Sequence, residues 1–217
     1  HGTDGGKSDG ISLLAAILRR LTKHSAEENG KKVELILEKF TPEQLPEHWS
    51  DELRDVLTQL IRNAVAHGIE LPEKRVADGK PEAGTIQISV MHGRRHTALL
   101  CRDDGAGFAV EKIRQRILEK KLLGTNQLDA LSDAQAVAYI FEPGFSTADN
   151  VDLNAGRGVG MDLVREKIRS LRGKIRVRWK SGKSTQFLLL LPTRINALTS
   201  GKALPAAPKR TTAGGLK

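Results

Sequence analysis

Covalent cross-links contribute nothing to this chain. Its 217 residues include one cysteine, Cys101, which excludes an internal disulfide framework and any cysteine-rich zinc site and reads as a small buried strand residue. Aromatic residues make up only 4%, too few for the stacking platforms that hold single-stranded nucleic acid. Long apolar runs are also missing. A stretch such as Phe187 to Leu191 falls far short of the roughly 20 residues that span a bilayer, and no secretory signal opens the chain. The expectation is a cytoplasmic protein without a membrane span. Basic residues are plentiful, with 35 Lys and Arg against 26 Asp and Glu, a net charge of +9. Clustered cations attract nucleic acid by releasing its counterions. Here much of the excess lies between Arg165 and Lys183 and at Lys202, Lys209, Arg210 and Lys217, where alternation marks solvated faces and a linker. No nucleic-acid partner is expected.

At 39% apolar content the chain suits one sizeable core, spanning residues 11–192, with a Gly-rich lead or tag remnant over 1–10 and a tail or linker over 193–217. Ile11, Leu14, Ala15, Leu18 and Leu21 recur at helical spacing, and Val33, Leu35 and Leu37 alternate as in a strand. From Asp51, the spacing of Leu53, Val56, Leu57, Leu60, Ile61 and Ala64 predicts an amphipathic helix ending near Gly68. Thr85 to Val90 and Thr97 to Arg102 read as a hairpin. Ile113, Ile117 and Leu118 mark a further helix, and Ser132 with Gln135 forms a capping box ahead of Ala136 to Phe141. A helix carrying Val164, Ile168 and Leu171 stops at Gly173, and the strands Lys174 to Lys180 and Thr185 to Leu191 follow. Short hairpin connections demand antiparallel pairing. The expected fold is therefore α+β: a two-layer α/β sandwich, its mixed, mostly antiparallel sheet covered by helices on one face.

Three features, each weak alone, make sense together as a nucleotide site. On the first long amphipathic helix Gln59, Asn63 and His67 lie four residues apart, along one stripe beside the apolar face. Asn is a mediocre helix-interior residue. Asn63 is therefore either a supplier of oxygen to magnesium or a boundary residue bonded to a nearby loop. At a strand end, Asp103-x-Gly105-x-Gly107 offers a carboxylate to an adenine amino group and glycines that admit close backbone approach. Alone, it reads equally as an ordinary Asp-Gly turn. Gly156-Arg157-Gly158-Val159-Gly160 precedes a helix, where free N–H groups and the positive helix end attract phosphate. No parallel βαβ unit surrounds it, which excludes a dehydrogenase fingerprint.

Four phrases then carry a family resemblance: Leu60-Ile-Arg-Asn-Ala-Val-Ala-His-Gly-Ile-Glu70, Asp103-Asp-Gly-Ala-Gly107, Ile140-Phe-Glu-Pro-Gly-Phe-Ser-Thr-Ala148 and Gly156-Arg-Gly-Val-Gly-Met-Asp162. In content and order they resemble the N box, first glycine box, lid-flanking box and second glycine box of CheA-type chemotaxis histidine kinases, a branch of the Bergerat (GHKL) ATPase superfamily. The resemblance spans about Leu14 to Pro192. It implies that ATP and magnesium are the cofactors, with Asn63 on the metal and Asp103 reading adenine. It further implies that Gly105 and Gly107 line the base, and that Gly156, Arg157, Gly158 and Gly160 meet phosphates. His67 and Lys112 would stand near the phosphates, and Thr185 would lie beneath the adenine. The implied reaction passes the γ-phosphoryl group to a histidine on a separate phosphotransfer domain and from there to a response regulator. A CheW-like adaptor and receptors would engage through domains not present, which leaves this fragment monomeric.

Three positions depart from the family pattern. Gln59 stands where His or Glu is usual, and a neutral amide is no general base. Ala66 replaces an Asp, and Ser184 a Gly. The alternative to an active kinase is thus a nucleotide-binding pseudokinase or scaffold. Glu142 to Arg157, polar and glycine-rich, is expected to be a lid that closes over ATP, with Phe141 and Phe145 as its apolar handles.

Overall fold

A computed structural model describes residues 5–40, 45, 49–145 and 160–192, side chains from residue 13 onward. Five strands, β1 (Val33–Glu38), β2 (Gly84–His92), β3 (His96–Asp103), β4 (Lys174–Lys180) and β5 (Ser184–Pro192), form one sheet in the order β1-β2-β3-β5-β4. Only β1 and β2 pair in parallel, across a long connection that carries helices. The other three pairs are antiparallel. The mixed, mostly antiparallel sheet expected from the short connections is what forms.

Strand alternation divides the sheet into two faces. Leu35, Ile86, Ile88, Val90, Leu99, Cys101, Phe187, Leu189 and Leu191 point inward and are buried, while their neighbours Gln87, Ser89, Leu100, Gln186 and Leu188 are only half-buried. Helices α1 (Gly5–Glu28), α2 (Ser50–Asn63) and α7 (Met161–Ser170) cover the inward face, with α2 packed against both others. Leu53, Val56, Leu57, Leu60, Ile61 and Ala64 of the α2 segment are all buried, as the 3.6-residue period requires. Asp51 and Glu52 lie in its first turn, where negative charge suits the helix dipole. Helix α1 begins at Gly5, inside the stretch read as a lead. The helix thus starts ahead of Ile11, where its apolar spacing begins.

A second, smaller cluster joins α4 (Val110–Glu119), α5 (Thr125–Asp129) and α6 (Asp133–Ala138) through Ile113, Ile117, Leu128, Ala136 and Val137. Leu118 turns outward at 37% exposure and is not part of that face. The Ser132–Gln135 capping box forms as its spacing implies. Phe145, 2% exposed, belongs to this cluster, and Phe141 belongs to the main core. Both side chains are packed into the body of the protein. Helix α3 (Pro72–Ala77), with Pro72 at its first position, was not visible as a period in the sequence. The remainder of the expected lid (146–159) and the tail from 193 lie outside the described residues.

Candidate nucleotide site

Rows of side chains cross the inward face of the sheet, and the row nearest the β3 end changes character. Pairing aligns Leu35 with Ile86, Ile86 with Asp103, Asp103 with Thr185, and Thr185 with Trp179. Apolar strands thus end on a polar pair, Asp103 and Thr185, each 5% exposed. Asp103 Oδ1 accepts the Gly105 N–H at 3.0 Å, and the Thr185 backbone also donates to the carboxylate. Burial, only partly offset by those two bonds, pushes the carboxyl up to about 6. No cation among the described residues pairs with it. The buried carboxylate can therefore accept a further donor.

Above this row, α2 does not simply stop. After Asn63 the backbone widens into a π-helical turn, Ala64–Gly68, closed by the Ile69 N–H on Ala64 O at 2.7 Å. Such one-turn widenings concentrate at functional sites. The turn ends directly on Asp103: a Cβ at Gly68 would stand 3.2 Å from Asp103 Oδ1. Gly68 O also accepts the Ala106 N–H at 2.8 Å. A Cβ on Gly105 would lie 2.2 Å from that same oxygen, so only glycine fits. Gly107 has φ +73° and faces Lys180 O at 2.8 Å from an ideal Cβ. The two glycines expected to admit a ligand are thus required first by backbone packed on backbone.

A buried charge network supports the loop from behind. Arg75, fully buried, reaches Glu70 Oε2 at 3.1 Å, Asp104 Oδ2 at 2.9 Å and the Pro81 carbonyl at 2.8 Å. Lys80 Nζ donates to Glu70 Oε1 at 2.7 Å and to the carbonyls of Asp104 and Gly105, each at 3.0 Å. Burial would raise the Glu70 carboxyl, but the Lys80 hydrogen bond and the Lys80 and Arg75 charges outweigh it and hold the group below its ordinary value. Sequence reasoning missed this network. Its one sequence signal is the doubled acid Asp103-Asp104 beside a glycine loop, where one carboxylate needed a partner.

Asn63 meets α7 across the site, its Nδ2 donating to Met161 Sδ at 2.8 Å. Gly160 is the residue that caps α7. Asn63, His67, Asp103, Gly105, Thr185 and Gly160 are therefore linked through a continuous set of contacts, with Gln59 one turn back on α2 and 8% exposed. His67 stays exposed on the turn. Partial loss of hydration and then the Lys31 ammonium hold its imidazole below the ordinary value. Lys112 is not joined to this set by any contact among the described residues. It is exposed at the start of α4 and lines a groove of about 500 Å³ with Phe108, Asp133, Trp179 and Ser181. Gly156, Arg157 and Gly158 lie outside the described residues. Cys101 is buried beneath Asp103, and burial pushes its thiol up to about 12, as befits a strand residue packed in the core.

A buried acceptor at a strand end thus faces a helix that bears an amide. The family model described as histidine kinase-, DNA gyrase B-, and HSP90-like ATPase matches residues 50–195, and the chain belongs to that family. Within it, the chain is 37% identical over 180 residues to the chemotaxis protein CheA of Bacillus subtilis, covering 83% of this chain and 27% of that protein. It is 39% identical over 181 residues to CheA of Rhizobium meliloti, covering 83% and 24%. The gliding motility regulatory protein of Myxococcus xanthus is 37% identical over 182 residues, covering 84% and 23%. The chain thus spans about a quarter of the length of these curated relatives. Among solved structures, the catalytic domain of the histidine kinase ThkA superposes with a TM-score of 0.52 at 16% identity, over 84% of this chain and 92% of that one. The Acinetobacter baumannii histidine kinase AdeS gives 0.51 at 17% identity, over 85% and 65%. These two establish the shared fold.

Asp103 also makes stability depend on pH in a definite direction. Its folded-state value, about 6, exceeds the ordinary 3.8, so the folded protein binds the proton more tightly and this group's contribution falls as pH rises through that window. Full ionisation costs at most about 3 kcal/mol. Asp103→Asn carries no such cost. Denaturant unfolding from pH 4 to 7 should show the variant gaining on the natural protein between pH 4 and 6, and a constant difference would remove the buried charge.

Proposed function

We propose that this chain is the Mg-ATP-binding catalytic domain of a CheA-like histidine kinase, which passes the γ-phosphoryl group to a histidine on a separate phosphotransfer domain, from which a response regulator receives it. The supporting observation is Asp103, a buried carboxylate with backbone donors and no cation partner among the described residues, at the foot of the turn that follows Asn63 and carries His67. Its free acceptor capacity suits the adenine amino group, and Thr185 would lie beneath the base. Gly156, Arg157, Gly158 and Gly160 would meet the phosphates at the start of α7, and Lys112 would add positive charge if the bound nucleotide draws it in.

The residues present fit a magnesium ion. That ion keeps several waters and needs only one or two protein oxygens beside the substrate phosphates. Asn63 engages Met161 through its amide nitrogen, which leaves the amide oxygen as the donor for the metal. Magnesium would neutralise phosphate charge. In the transfer the bond from the β,γ-bridging oxygen to the γ-phosphorus breaks, an N–P bond to the acceptor histidine forms, and ADP departs. The contribution of this chain is positioning and charge compensation.

A second reading, a nucleotide-binding scaffold with little phosphotransfer, is favoured by Gln59. It occupies the position one turn before Asn63, is buried, and its neutral amide cannot take up a proton at the reacting centre.

Asp103→Ala should abolish nucleotide binding in a folded protein whether or not magnesium is present, whereas Asn63→Ala should weaken it mainly with magnesium. Calorimetric titration with ATP, with magnesium or with a chelator, checks both, and equal losses for Asn63→Ala in the two conditions would take the metal from that residue. Gln59→Glu should raise the rate of phosphotransfer to an added acceptor domain by roughly 100-fold or more. Single-turnover rates that do not differ would dismiss the scaffold reading's premise.

A further inference from the structure

We infer that Lys31 is a positioning residue for the nucleotide site, fastening the π-helical turn between Asn63 and Gly68 from outside. The inference rests on the nucleotide-binding reading for its effect on affinity, and on geometry alone for its effect on the turn. Lys31 lies in the short connection between α1 and β1, remote in sequence from every motif of the site. Its Nζ donates to Val65 O at 2.6 Å and to Ala66 O at 2.8 Å. Those carbonyls end a helix, where no intrahelical N–H remains for them and partial negative charge accumulates. A cation there satisfies both needs.

The consequences pass along the turn. With Val65 O and Ala66 O held by Lys31 and Ala64 O held by Ile69, three consecutive carbonyls are fixed. That sets where Asn63 leaves α2, where His67 stands, and how Gly68 presses on Asp103. Other charged groups surround the turn: Glu70 follows it, bonded to Lys80 and Arg75, and Asp103 backs Gly68. Glu70 acts on Lys31 only at a distance, favouring its charged form, while burial of the ammonium acts more strongly the other way. Lys31 is the one of these groups that perturbs His67.

Lys31→Met keeps the length of the side chain and removes its charge and donors, and Lys31→Arg keeps the charge. In the nucleotide-free protein, NMR titration of the His67 ring should show a higher pKa in Lys31→Met than in the natural chain, with Lys31→Arg restoring it. The Ile69 amide should exchange about tenfold faster in Lys31→Met, the scale of one charge-assisted hydrogen bond. With Mg-ADP as probe, Lys31→Met should bind about tenfold more weakly, again rescued by Lys31→Arg. A natural chain that binds no Mg-ADP would refute the nucleotide reading but leave the two nucleotide-free measurements standing. A folded Lys31→Met with natural His67 titration and Ile69 exchange would overturn the positioning role. Should Lys31→Met not fold, the natural protein decides: the Lys31 ammonium, held by two carbonyls, should give a slowly exchanging ¹⁵N-coupled proton signal at pH 6, and its absence would overturn the inference.

Discussion

Gly68 and Gly105 touch backbone to backbone, and the site depends on that contact. A side chain on Gly105 would sit 2.2 Å from the Gly68 carbonyl oxygen, inside any tolerable approach. The end of the π-helical turn and the loop after β3 can therefore close on one another only at glycine, and Asp103 is trapped in the angle between them. The hydrogen bond from Ala106 to the same carbonyl makes the closure a shared piece of backbone rather than a mere lack of bulk. On the other side of the loop, Gly107 meets Lys180, and the Gly182 N–H bonds Ala106 O at 2.7 Å. The loop is held by two different parts of the fold.

Electrostatics then separate two neighbouring carboxylates. Glu70 receives the buried Arg75 and the half-buried Lys80, and Asp104 receives Arg75, whereas Asp103 receives backbone N–H groups and a raised pKa. Buried ion pairs gain little net stability, but removing one partner strands a charge and is strongly destabilising. The network therefore acts mainly to specify the loop. It also leaves Asp103 a buried acceptor without a cation partner among the described residues. Ionising Asp103 therefore costs stability.

Much of this was legible in the chain. Periodicity sufficed for α2 and α7, and alternation for the strands, because both report which side chains must leave water. The candidate residues Asn63, His67, Asp103 and Gly105 stood out from motif and spacing, and the fold brings them near one another. Elsewhere sequence patterns were silent. The π-helical turn depends on Lys31, more than thirty residues upstream, so no local period encodes it. Arg75 reads as a surface residue of a short helix until the loop at Asp104 closes over it. Gly107 looked like room for a ligand, but its positive φ and its approach to Lys180 are demands of the protein itself. Phe141 and Phe145 are packed into the main core and the smaller cluster, which the loop's own composition does not reveal.

The central claim is that Asp103 and Asn63 belong to one nucleotide site, with the base at the sheet end and the metal at the helix. A crystal structure of the protein with magnesium and a non-hydrolysable ATP analogue tests it most directly. The account predicts the adenine amino group within about 3 Å of the Asp103 carboxylate and magnesium on the Asn63 amide oxygen. Adenine seated instead in the groove between Phe108 and Trp179, or a metal that does not touch Asn63, would contradict it.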